Sequence, residues 1–105
     1  MITRIVKLEF EEDKVQEFLD FFDTVKSVVN GFPGCAGMKL YTDVENPTII
    51  MTYSYWESTE DLERYRKSSE FGRIWPTIKP WFCSKPEAWT LRAYFNGFEQ
   101  KNRIN

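Results

Sequence analysis

The chemistry open to this 105-residue chain is narrowed first by a residue type it lacks, because it contains no histidine. That removes the commonest general base and the commonest protein ligand for zinc and haem. Each serine sits at a candidate cap or turn, with no imidazole to activate it, so a serine hydrolase arrangement is excluded. Gly31 and Gly34 have turn spacing and match neither a phosphate loop nor a dinucleotide fingerprint. Cys35 and Cys83 read as free thiols of a reducing compartment, serving as small hydrophobes.

Two cations remain as candidates for binding work. Arg4 interrupts the apolar positions Ile2, Val6, Leu8 and Phe10, so it falls on the inward face of a strand. A partly buried guanidinium cannot shed its charge and needs an anionic or multi-acceptor partner. That partner is either a ligand carboxylate or enolate, or an acid of the protein. Arg92 poses the same alternatives, and for it a pair within the protein or across a dimer is the simpler one. The acidic runs Glu11-Glu12-Asp13 and Glu60-Asp61 with Glu63 sit at helix starts or on a solvated face, where they complement the helix dipole.

Nine Phe, five Tyr and four Trp make up 17% of the chain, a surplus that points to a ligand pocket, a subunit interface or both. The net charge is −2 and the fourteen basic residues are scattered, which argues against nucleic acid as a partner. No apolar run has the length of a membrane span, and residues 1–10 alternate instead of forming a signal-peptide core. A cytoplasmic location is expected.

The elements that must position these residues follow from periodicity. Ile2 to Phe10 alternates as a strand with one buried face. Asp13, with Gln16 three residues on, predicts a capped helix running to about Asn30, with Val15, Phe18, Leu19, Phe22, Val25, Val28 and Val29 as its apolar stripe. After the turn Phe32-Pro33-Gly34, strands over 36–42 and 48–56 flank the turn residues 43–47 and form an antiparallel hairpin. Ser58 caps a second helix, Ser68-Ser69 interrupts it, and a further helical piece carries Phe71, Ile74 and Trp75. Pro76 and Pro80 predict a bend or a short separate turn. Residues 87–95 read as the fourth strand.

The order strand, helix, strand, strand, helix, strand predicts one ferredoxin-like α+β domain over 1–95. Its four-stranded antiparallel sheet carries helices on one face, and a tail over 96–105 frays or docks on a partner. The sheet face opposite the helices stays uncovered: on the third strand one face offers Ile49, Met51, Tyr53 and Tyr55, the other Ile50, Trp56, Thr48, Thr52 and Ser54, and both are too apolar or neutral for a solvent surface. A homodimer burying the uncovered face is expected. Tyr53 lines either a cavity or the dimer seam, and the seam is the preferred reading.

Several segments resemble one family. Gly31-Phe32-Pro33-Gly34-Cys35, then Tyr55-Trp56-Glu57-Ser58 with Glu60-Asp61-Leu62, then Ser68-Ser69-Glu70-Phe71, are similar to the antibiotic-biosynthesis monooxygenase superfamily of dimeric α+β barrels. The likeness spans roughly Ile2 to Tyr94. It implies a dimer of packed sheets with a pocket between sheet and helices in each subunit, where Tyr65 and Trp75 match pocket-lining positions of the relatives and either stack on a flat apolar ligand or pack on the sheet as core aromatics. The haem-degrading branch keeps an Asn, a Trp and a ligating His at positions that fall near Arg4 and on Tyr65 and Trp75. This chain departs at all three, so haem degradation is not expected, and no cofactor is.

Two functions are compatible with this reading. One is a cofactor-independent monooxygenase acting on a small phenolic or quinol-like substrate. The other is a dimeric binding protein for a small apolar molecule such as a fatty acid or aromatic acid. The candidate ligand-binding residues under either are Arg4, Phe22, Tyr53, Tyr65, Phe71, Trp75 and Arg92.

Overall fold

In a computed structural model, which describes residues 1–98, the alternating N-terminal segment forms β1 (Ile2–Glu9) and the apolar-striped segment forms α1 (Val15–Asn30). The hairpin is β2 (Cys35–Thr42) and β3 (Ile49–Trp56), followed by α2 (Thr59–Arg66), α3 (Ser69–Ile78) and β4 (Glu87–Leu91). The strands form one antiparallel sheet in the order β2-β3-β1-β4, the ferredoxin-like arrangement, with α2 and α3 together in the place of the second helix.

Register sorts the side chains onto two faces. Arg4 lies opposite Ser54 and Thr90, and Val6 opposite Thr52 and Ala88, so these share the helix-covered face with Leu8, Ile50 and Trp56. Ile5 lies between Tyr53 and Trp89, and Lys7 between Met51 and Glu87, on the face away from the helices. The outer face stays open within one chain, with Tyr41, Trp89 and Leu91 among its exposed large side chains.

The helix-covered side holds two cores. Leu8, Phe10, Phe18, Ile50 and Ile78 form one, and Ile2, Trp56 and Leu62 the other. Trp56 is completely buried, and its indole N–H donates to Ser54 Oγ (2.9 Å), which lets a polar ring edge sit inside. Gly34 holds a positive φ of 88°, and a Cβ there would collide with Asp61, so the turn into β2 requires glycine.

Local boundaries differ from expectation in three places. Asp13 does not cap α1, and Gln16 donates to Asp20 Oδ1 (3.0 Å) instead of closing a capping box. The backbone N–H groups of Phe10 and Glu11 donate to the carbonyls of Thr48 and Trp81 (3.0 Å each). The chain is thereby tied down as far as Glu11, so it enters α1 through a 3₁₀ turn over Glu12–Lys14. Pro76 lies inside α3, where two further residues complete the helix, and the separate turn comes at Lys79–Trp81 around Pro80. β4 ends at Leu91, short of residue 95, because Leu91 already pairs with Thr3, one residue from the start of β1. The caps of the later helices are as read. Ser58 Oγ and Ser68 Oγ each accept from the backbone N–H three residues on, those of Asp61 and Phe71 (3.1 Å both). Most of the expected tail lies outside the described residues.

Candidate functional site

A cavity of about 360 Å³ lies between the sheet and the three helices, touching both cores. β1 contributes Arg4, Val6 and Leu8 to its wall, β3 contributes Thr52, Ser54 and Trp56, and α1 contributes a face carrying Phe18, Phe22 and Val25. α2 and α3 close it with Tyr65, Arg66, Phe71 and Trp75. The volume sits near the lower end of the range for small-molecule sites.

The aromatic side chains form a continuous run of neighbouring rings around this space. Phe32 meets Tyr65 at 5.2 Å between ring centroids, and Tyr65 lies over Trp56 at 5.3 Å and 29°. Tyr65 meets Phe71 edge-on at 5.3 Å, and Phe71 stacks on Trp75 at 5.7 Å and 12°. Trp75 then meets Phe82, which contacts Phe10, which stacks on Phe18 at 4.4 Å. Of the rings in this run, Phe18, Trp56, Tyr65, Phe71 and Trp75 line the cavity, each held against a neighbouring ring. Such a surface suits a planar apolar guest.

Polar groups are few. Tyr65 is packed on three sides, and burial, with smaller contributions from Cys35 and Glu70, pushes its phenol up to about 12. Its hydroxyl meets no hydrogen-bond partner among the described residues, so it remains a neutral donor at the cavity wall. Arg4 donates from Nη1 to Thr90 Oγ1 (2.7 Å), the hydroxyl that register places beside it. Burial lowers the Arg4 pKa, Arg66 lowers it further by repulsion, and Glu63 opposes both. Arg66 donates to Glu63 Oε1 (2.8 Å), while Arg4 has no carboxylate within ion-pair distance among the described residues. Among the described residues no carboxylate lines the cavity.

Of the residues singled out from sequence, Arg4, Phe22, Tyr65, Phe71 and Trp75 come together on this cavity. Two do not. Tyr53 lies on the outer sheet face, edge-on to Tyr41 at 6.4 Å, because strand alternation turns it away from Thr52 and Ser54. Arg92 follows the last residue of β4, is exposed, and does not line the cavity. Arg66 was missed because α2 reads as a solvated charged helix. Its spacing of four from the buried Leu62 is the signal that places it on the inner face. Among the described residues no three His, Cys, Asp or Glu side chains gather as metal ligands, and no helix is long and apolar enough to cross a membrane.

Sheet order, helix placement and cavity define a ferredoxin-like α+β domain built around an internal aromatic chamber. Residues 1–75 match the family model for antibiotic biosynthesis monooxygenases, and the chain belongs to that family. Arg4, Tyr65, Arg66 and Trp75 all fall within the matched part. Solved structures share the fold. A conserved protein from Methanosarcina mazei Go1 is 25% identical, with a TM-score of 0.81 over 88% of this chain and 92% of its own. A protein of Nitrosomonas europaea described as a candidate antibiotic biosynthesis monooxygenase is 15% identical, with a TM-score of 0.83 over 90% of this chain and all of its own. SnoaB, a cofactor-independent oxygenase from Streptomyces nogalater, is 13% identical, with a TM-score of 0.80 over 90% of this chain and 94% of its own. No curated protein matches the chain.

Proposed function

We propose that this chain is a cytoplasmic, cofactor-independent monooxygenase that oxidises a small phenolic or quinol-like substrate, working as a homodimer paired through the outer sheet faces. The observation that carries the reading is the aromatic chamber with an unpartnered Tyr65 hydroxyl and a half-buried Arg4 on its wall. Membership of the monooxygenase family and the likeness to a cofactor-independent oxygenase support it.

An electron-rich substrate anion can itself reduce dioxygen, so the protein has little covalent chemistry to do. For an anthrone-type methylene the net change is CH₂ + O₂ → C=O + H₂O, with all electrons supplied by the substrate. The chamber holds the rings against Trp75 and Phe71, and the bound guest displaces water from the apolar wall beside the reactive anion. Tyr65 donates a hydrogen bond to the substrate oxygen, and the fixed charge of Arg4 favours the deprotonated form. The test is oxygen uptake by purified protein, free of flavin and metal, with a panel of dihydroxynaphthalenes and anthrones. Turnover that falls at least about tenfold in Tyr65→Phe is expected. No uptake with any member of the panel would remove the enzymatic reading.

One observation favours a second reading, a binding protein for a small apolar molecule. Among the described residues the cavity wall carries no carboxylate to accept a substrate proton. Native mass spectrometry of protein purified in air separates the two, because a binding protein retains an unoxidised guest.

A further inference from the structure

We infer that the guest of this cavity is a planar aromatic monoanion, with a single oxyanion ionised at neutral pH and held by Arg4, and with Arg66 adding to the positive field. The inference rests on the cavity being the ligand site, and it adds the charge and the orientation of what binds there.

Arg4 is the group that demands a partner. It stands on the inner sheet face with Ser54 on one side and Thr90 on the other, and neither is acidic. Ser54 Oγ already accepts from Trp56, Thr90 accepts from one guanidinium nitrogen, and among the described residues no carboxylate is within ion-pair distance, Glu63 acting on Arg4 only from farther off. An arginine cannot resolve such a position by losing its proton. Arg66, one helical turn beyond Leu62, brings a second guanidinium to the same cavity wall. Its charge is offset by Glu63, to which it is bonded at 2.8 Å. Arg4, Arg66 and Glu63 together therefore leave one positive charge, which matches a monoanion and disfavours both cations and dianions.

The rest of the wall sets the shape of the guest. Beyond Arg4 the inward residues of β1 are Val6 and then Leu8, which belongs to the buried core. Four strand residues span about 13 Å, enough for a two- or three-ring system lying along the strand from a charged head to an apolar end. Phe71 and Trp75, nearly parallel, offer a flat face to such rings.

The test uses three isosteres binding to the intact protein, followed by calorimetry and by the fluorescence of Trp56 and Trp75. They are 2-naphthoate, its neutral amide and 2-naphthylmethylammonium. The carboxylate is expected to bind about ten- to hundredfold more tightly than the amide, with the cation weakest. Arg4→Met should remove most of the preference for the carboxylate over the amide, and Arg4→Lys should restore part of it. Arg66→Gln should also weaken the carboxylate, though less than Arg4→Met, because it frees Glu63 to offset the charge of Arg4. Equal binding of carboxylate and amide by the native protein would overturn the charge assignment and leave the cavity reading standing. A carboxylate preference that survives in Arg4→Met would also overturn it. Failure of all three to bind would remove both readings.

Discussion

The phenol of Tyr65 gives a pH experiment whose size and sign follow from its packing. Its side chain lies over Trp56 and against Phe32 and Phe71, and burial raises its ionisation from 10.0 to about 12. Placing a phenolate there thus costs roughly two pK units, on the order of 2–3 kcal/mol. Up to about pH 10 both folded and unfolded chains carry the neutral phenol, and this group makes no difference to stability with pH. Between about 10 and 12 the unfolded chain releases the proton while the folded chain keeps it, so stability falls as pH rises. The measurement is near-ultraviolet phenolate absorbance across an alkaline titration of native protein and Tyr65→Phe, with urea unfolding at each pH. The difference spectrum should show one tyrosine ionising near 12, and the variant should lose less stability over that interval. If the difference spectrum titrates near 10, the ring is not enclosed as described, and Tyr65 would not be the persistent neutral donor that the proposed chemistry needs.

Two further outcomes are expected. Ser54→Ala removes the acceptor of the fully buried Trp56 indole N–H and should cost about 1–3 kcal/mol in urea unfolding; a loss below about 0.5 kcal/mol would mean that the bond is not made. Ile5→Glu places a carboxylate between Tyr53 and Trp89 on the outer sheet face; if the proposed pairing holds, light scattering should report a dimer for the native chain and a folded monomer for the variant.

The fold was legible because its signals are periodic. The alternation of β1 placed Arg4 inward, the stripe of α1 placed Phe18 and Phe22 inward, and Ser58 and Ser68 marked helix starts through chemistry that works locally. What sequence left open depends on contacts between distant segments. The start of α1 is set by backbone bonds from Phe10 and Glu11 to Thr48 and Trp81, which no local capping signal reveals. The end of β4 is set by the length of β1, its partner. Among the candidate site residues, Tyr53 was ambiguous because both faces of β3 are apolar or neutral. Arg66 was hidden by the acidic and basic residues around it on α2.

The row Ser54–Arg4–Thr90 has a consequence for how errors in this sheet would show themselves. Side-chain direction in a strand reverses with every residue, so slipping β1 by one position against its neighbours would exchange the two faces. Arg4 would leave the chamber for the apolar outer face, and Ile5 would take its place inside. The same slip would carry Lys7 from the outer face into the apolar space beside Val6 and Leu8, trading one cation for another at the wrong depth. One error would alter both faces of the sheet at once, so the register of β1 is what fixes the cavity wall and the outer face together.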